Sequence, residues 1–321
     1  MKRFTIVPER PYSLALTAER YTRFPEVVDR FDGRVYRRLL PIGRRGVLLS
    51  VEQEGTAARA ALRVGLEGAL AESEAAAEAA SRVLQRSLGA STPVSPFYRS
   101  HRGDPILGAP IRAFRGLRIA GVPSLWEALV TAVLAQQVNL KFAYDIRREI
   151  CQTYGRRARF SKETYIAFPA PEPLASESLP RLRRFRLSRS KAVAIREIAR
   201  AFAGGELSEE ILAPLSDEDA IARLVALRGV GRWTAEIGLQ RGLGRTDIFP
   251  AGDLGVVKYL AQGLLGHAST SKAKEEDMRR YAERWAPHRS LALVYGYAEL
   301  NRRRAVNRPR SSPFPPEPPP S

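Results

Sequence analysis

Apolar positions follow two regimes along this chain. Over residues 1–90 they come as short runs, Phe4–Val7, Ser13–Leu16, Val35–Leu40, Val47–Glu52 and Ala60–Val64, broken by Pro, Gly and charged residues. Runs of that length between turn residues predict β-strands. An Ala- and Glu-rich segment from Ala69 to Leu88 then predicts a helix, with Gly89 as its stop. Short strands followed by a helix predict an α+β domain. Residues 91–110 mix Pro and Gly without periodicity and predict a linker.

From 111 to 304 the apolar spacing lengthens to that of helices. Ser124-Leu125-Trp126-Glu127 reads as a capping box, in which Ser124 caps a backbone N–H and Glu127 reaches back. Behind it Leu125, Leu129, Val133 and Leu134 line one face. Asn139 caps a second predicted helix carrying Phe142, Ala143, Ile146 and Ile150 and ending near Gly155. A third runs from about Arg189 to Phe202, stopped by Gly204-Gly205. Ser216 opens a fourth, with Ile221, Leu224 and Val225 on its inner face. The predicted fold class is therefore mostly α, a helical domain over 111–304 behind a smaller α+β domain. Residues 305–321 hold seven prolines and read as a disordered tail.

Composition narrows the classes. A hydrophobic share of 44% and a charged share of 27% are those of a globular chain. No apolar run approaches the ~18 residues of a bilayer-spanning helix, and no signal peptide opens the sequence, so a cytoplasmic, nucleoid-associated protein without membrane partners is expected. One cysteine, Cys151, excludes an internal disulfide, a multi-Cys zinc site and a four-thiolate iron–sulfur cluster. His101, His267 and His288 are dispersed and suggest no metal cluster. The charge is the positive clue: 52 Lys+Arg against 34 Asp+Glu gives +18, and only seven of the 52 are Lys. Such a chain attracts polyanions, and guanidinium groups suit bidentate phosphate contacts. A compositional bias towards Arg is the competing explanation.

The fourth helix leads into Leu227-Arg228-Gly229-Val230-Gly231-Arg232-Trp233-Thr234-Ala235. Two glycines in a tight turn allow positive φ and close backbone approach. The helix that follows would point its unpaired N–H groups outward, a grip for phosphate that reads no sequence. Twenty residues on, Asp253 follows Phe249-Pro250-Ala251-Gly252 and precedes Leu254. A carboxylate there serves as a helix cap or as a catalytic group.

These two segments resemble the helix-hairpin-helix DNA glycosylase superfamily, and most closely its alkyl-base branch, 3-methyladenine DNA glycosylase II. Ala135-Gln136-Gln137-Val138 and Tyr281-Ala282-Glu283-Arg284-Trp285-Ala286-Pro287-His288-Arg289-Ser290 resemble two further motifs of that branch, in the same order. The resemblance implies a base-excision repair enzyme that flips a damaged nucleotide out of duplex DNA and hydrolyses its N-glycosidic bond. It implies Asp253 as the carboxylate facing the sugar cation. Gly229, Val230, Gly231, Arg232, Thr234, Arg289 and Ser290 become DNA contacts, and Gln137 the wedge that fills the vacated stack, or else a polar helix end. Trp233, Ile237, Leu254 and Tyr297 become the base pocket, although Trp233 and Tyr297 could equally be core aromatics. Strand-cutting members form a Schiff base through a Lys in the hairpin's second helix; Trp233 stands there and no lysine lies between Lys191 and Lys258. A monofunctional, monomeric enzyme without cofactor is expected, apart from a monovalent cation that such hairpins bind, here at the carbonyls of Val225, Leu227 and Val230. Where relatives carry a hairpin proline and aromatics, this chain has Arg228, Ile237 and Leu254, and Gly255 adds looseness after Asp253. A glycosylase for deaminated or oxidised bases, or a non-catalytic DNA-binding protein, are the alternatives.

Overall fold

An antiparallel sheet holds the N-terminal part together. A computed structural model describes residues 1–24, 26–256 and 274–306. Strands β1 (Lys2–Ile6), β2 (Asp29–Phe31), β3 (Val35–Leu40), β4 (Val47–Glu54) and β5 (Ala61–Glu67) pair in the order β1-β5-β4-β3-β2. Alternate residues Tyr36, Leu49, Val51, Leu62, Val64 and Leu66 point into one core. The expected strand at Ser13–Leu16 is instead the start of α1 (Leu14–Ala18): Ser13 Oγ accepts the Leu16 N–H at 3.3 Å and Leu14, Thr17 and Ala18 are buried. A Ser followed by alternating small and apolar residues suits a strand or a helix cap, and burial of the i, i+3, i+4 set decides it. Helix α2 (Glu74–Arg82) continues through a wider turn at Val83–Ser87 and stops where Gly89 takes φ +59°.

The expected linker is structured. Helices α3 (Ser95–His101) and α4 (Gly108–Ala113) bury Val94, Phe97 and Leu107 against the C-terminal helices. Its anchors are too far apart to show a period, and Pro96 sits in the first turn, where its missing N–H costs nothing.

The helical part runs through α5 (Leu125–Ala135) and α6 (Leu140–Tyr154), a small β6 (Arg157–Phe160)–β7 (Glu163–Ile166) hairpin that the helical pattern concealed, and short α7 (Pro171–Ala175) and α8 (Leu179–Arg183). Then come α9 (Arg189–Ala203), α10 (Glu209–Leu212), α11 (Asp217–Val225), α12 (Arg232–Gly242), α13 (Leu254–Val256), α14 (Glu275–Ala282) and α15 (Arg289–Val306). Ser124, Asn139, Ser188 and Ser216 all accept the backbone N–H three residues on, as N-caps do. Val225 is exposed, at 42%, and not on the inner face expected for it. The Pro-rich segment 307–321 lies outside the described residues, among which no helix is long and apolar enough to cross a membrane.

Glu127 also departs from expectation. It does not turn back to Ser124; it is buried at 1% and its carboxylate takes the guanidinium groups of Arg38 and Arg147, the latter at 2.6 Å. Arg38 also binds Asp29 at 2.6 Å, and Arg147 also binds Glu26. The Tyr36 hydroxyl donates to Asp29 as well. Five buried charges thus join the sheet to α5 and α6, and each is paired, as burial of charge requires.

Candidate active site

Helices α11 and α12 meet at the glycine hairpin. Gly229 has φ +86°, and a Cβ added to it would lie 2.6 Å from that of Ala194 on α9. Only glycine fits both demands. Val230 is buried, so the hairpin offers its backbone and not that side chain. Gly231 caps α12 without a side-chain bond, and the amides of Arg232, Trp233 and Thr234 find no acceptor among the described residues. An uncapped helix start of this kind carries partial positive charge aimed at solvent.

One polar side chain braces this turn against its neighbour. Gln136 Nε2 donates to the Gly229 carbonyl at 3.2 Å and to Thr234 Oγ1 at 2.9 Å. Sequence reasoning quoted Gln136 within its motif but assigned it nothing; the doubled Gln after a helix was the available signal. Next to it Gln137 is exposed with φ +52°, a conformation that non-glycine residues seldom hold without surrounding support. Thr234 is buried beneath the hairpin.

Twenty residues from Trp233 in sequence, the chain returns to the same place. Asp253 Oδ2 accepts the Trp233 indole N–H at 3.1 Å, and Oδ1 accepts the Tyr297 hydroxyl at 2.6 Å and the Gly255 N–H at 2.8 Å. Asp253 is thus both a cap for α13 and the hub joining α12 to α15. Burial, then the charge of Asp253, raises the Tyr297 phenol well above its ordinary pKa, so it remains a donor. Gly255 does not loosen this corner: a Cβ there would lie 2.4 Å from the Tyr297 ring. Ile237 lies half-buried one turn after Trp233, while the Leu254 side chain is outside the described residues.

The competing carboxylates are neutralised. Arg289 grips Asp247 through Nε at 2.9 Å and Nη2 at 2.8 Å. Glu236 is buried and paired with Arg279 at 2.8 Å and Arg232 at 3.1 Å. Asp253 has no guanidinium or ammonium partner among the described residues.

Three expected DNA contacts are placed differently. Ser290 is fully buried and donates to the carbonyls of Arg245 and Ile248, so its hydroxyl is out of reach of a phosphate. Arg232 is held by Glu218 at 2.6 and 3.0 Å, and Arg289 by Asp247 and Glu283. Sequence shows that these residues are cationic, but not that carboxylates distant in sequence already occupy them. Exposed Arg228, at the hairpin tip, has no carboxylate partner among the described residues.

A helical hairpin joined to a carboxylate that accepts from Trp233 and Tyr297, in a chain that opens on an antiparallel sheet, defines a class. The chain belongs to the HhH-GPD superfamily of base excision DNA repair proteins, whose family model matches residues 130–287. Its relatives place it in the alkyl-base branch. A DNA-3-methyladenine glycosylase of Bacillus subtilis (strain 168) is 34% identical over 202 residues, 63% of this chain and 66% of that protein. DNA-3-methyladenine glycosylase 1 of Schizosaccharomyces pombe is 30% identical over 53% of this chain and 70% of its own length. Among solved structures, a 3-methyladenine DNA-glycosylase from Archaeoglobus fulgidus superposes with a TM-score of 0.76 at 25% identity, over 94% of this chain and 99% of that one. The chain spans less than two thirds of the length of the Bacillus relative.

The hairpin's glycine supports a direct test. Gly229→Ala is expected to cost about 1–3 kcal/mol of stability from the strained φ and to weaken duplex DNA binding, because Ala194 must be displaced. Denaturant unfolding and fluorescence anisotropy with labelled duplex would read both; unchanged affinity would separate this hairpin from DNA binding.

Proposed function

We propose that this protein is a DNA repair glycosylase that flips out and hydrolytically excises alkylated purines, 3-methyladenine foremost, from double-stranded DNA. The observation that carries this reading is the carboxylate of Asp253, without a cationic partner among the described residues and held by three donors from Trp233, Gly255 and Tyr297. Cleaving an N-glycosidic bond builds positive charge on the sugar. A fixed carboxylate stabilises that charge and orients water for attack. Trp233 and Tyr297 supply aromatic faces that favour a cationic base. The open amides at the start of α12, with Gln137 beside them, would take the phosphate next to the flipped nucleotide and the gap it leaves.

The same geometry supports water as the nucleophile. Trp233 fills the place where strand-cutting relatives carry an amine, and its indole is committed to Asp253. The Lys191 ammonium is bonded to the Leu134 carbonyl at 2.9 Å. Borohydride is therefore expected to trap no covalent protein–DNA adduct while free base is released and the strand stays intact. A trapped adduct would overturn the monofunctional assignment.

A monovalent cation at the hairpin carbonyls of Val225, Leu227 and Val230 is part of the same proposal. Among the described residues the carbonyls of Val225 and Val230 accept no backbone N–H, and that of Leu227 accepts the Val230 amide at 3.1 Å. Such an ion would hold the turn and add positive charge beneath a phosphate.

A further inference from the structure

Helix α12 exposes a narrow stripe. Trp233, Ile237 and Arg241 are half-buried at four-residue intervals, whereas Thr234–Glu236, Gly238–Gln240 and Gly242 between and beside them are buried. Four-residue spacing puts the three on one side of the helix, and the stripe starts at the residue that holds Asp253. Its far end is cationic. Arg241 Nη1 donates to the Ala120 carbonyl at 2.6 Å, and Arg20, from the N-terminal part, donates to the same carbonyl at 2.8 Å. Arg20 also donates to the Tyr144 hydroxyl at 3.2 Å, and Tyr144 stacks on Phe24 at 5.0 Å. Neither guanidinium has a carboxylate partner among the described residues, unlike Arg38, Arg147, Arg232 and Arg289.

Two like charges drawn to one carbonyl are hard to explain by stability alone. Each guanidinium has five N–H groups and the pair meets only two acceptors here. Burial, with Arg20 alongside, lowers Arg241 to about 9, so it keeps its charge at neutral pH. Eight residues separate Trp233 from Arg241, about 12 Å along α12, so a base held at Asp253 lies between the two ends of the stripe.

Resting on the glycosylase reading above, we propose that Arg241, assisted by Arg20, is a specificity-determining residue that donates to the acceptor edge of a neutral damaged base and stabilises it as it leaves. When the C1′–N bond breaks, its electron pair goes to the base and water forms the new C1′–O bond; water's displaced proton ends on the base when that base was neutral, and passes to solvent when it was already cationic. A base already cationic from N-methylation becomes neutral in that step and needs no donor. A neutral base develops negative charge, and a guanidinium facing it acts as an oxyanion-hole donor does. The two ends of the pocket thus serve different lesions: Asp253 and the aromatic walls act on every sugar cation, and the arginine floor acts on neutral leaving groups.

Single-turnover excision with two duplex substrates tests this, one releasing 3-methyladenine and one carrying a single hypoxanthine. The wild type is expected to release both. Arg241→Met is expected to lose hypoxanthine release by about 10²-fold, with 3-methyladenine release within a few-fold or faster. Arg241→Lys, which keeps the charge, should recover part of the loss, and Arg20→Met should shift the ratio in the same direction if Arg241→Met does not fold. An equal fall for both bases, or no change in either, would overturn the proposal. Wild-type release of 3-methyladenine without hypoxanthine would overturn it too, leaving the glycosylase reading intact. Release of neither base would overturn that reading.

Discussion

Asp253→Asn is expected to fold, to hold damaged DNA and to excise bases about 10²–10³ times more slowly than the wild type. The substitution keeps the shape and the capping oxygen, and Asn caps a helix about as well as Asp. An amide nitrogen cannot accept, however, so one of the bonds from Trp233, Tyr297 or Gly255 is lost. That loss should cost about 1 kcal/mol of stability. What disappears altogether is the negative charge that the proposed mechanism sets against the developing sugar cation. Binding should persist or tighten, since a charge repelling phosphate has gone. Tyr297→Phe is the control: it removes one donor and leaves the carboxylate, so its effect on rate should be far smaller. Asp247→Asn addresses the nearest rival, which Arg289 already neutralises. An inactive Asp247→Asn protein beside an active Asp253→Asn protein would make Asp247 the catalytic carboxylate.

Arg147→Met is expected to be the most damaging single change to stability, by about 3–5 kcal/mol. It strands Glu26 and Glu127, both buried, without this counter-charge. The cluster holds two guanidinium groups, Arg38 and Arg147, against three carboxylates, Asp29, Glu26 and Glu127. Glu127→Gln therefore leaves a balanced set and should cost clearly less. Burial raises the Glu127 pKa, consistent with its charged form being the least comfortable member. Urea unfolding of the two variants at neutral pH would test the order. If Glu127→Gln were the more damaging, hydrogen bonding rather than charge balance would govern this junction. Excision should fall with stability in Arg147→Met, since the cluster anchors α5, whose end carries Gln136 and Gln137.

The helix caps were legible because they are local. Ser124, Asn139, Ser188 and Ser216 each bond a backbone amide three residues on, and no distant residue is needed to see it. Ser13 has the same bond, but the strand-like residues around it pointed elsewhere. Segment 91–110 shows no period in sequence because Phe97 and Leu107 are placed by the C-terminal helices, not by a local repeat. Charge was the least transparent feature. A surplus of +18 says nothing about which guanidinium groups are free, and the structure commits Arg38 and Arg147 to the interior and Arg232 and Arg289 to ion pairs.

The site divides along the same line. The hairpin is one contiguous run and its glycines state their purpose in the sequence. Asp253, Trp233 and Tyr297 are far apart along the chain, and only the resemblance brought them together before the fold did. Nothing in the sequence joined Arg20 to Arg241, because they come from different parts of the molecule and meet at a carbonyl.

The central claim, excision of alkylated purines through Asp253, is tested most directly by measuring free base released from DNA treated with a methylating agent, with wild-type and Asp253→Asn proteins side by side. Time-dependent release of 3-methyladenine is expected from the wild type, and about 10²–10³-fold slower release from the folded variant. Equal release by both proteins, or none by the wild type, would contradict it.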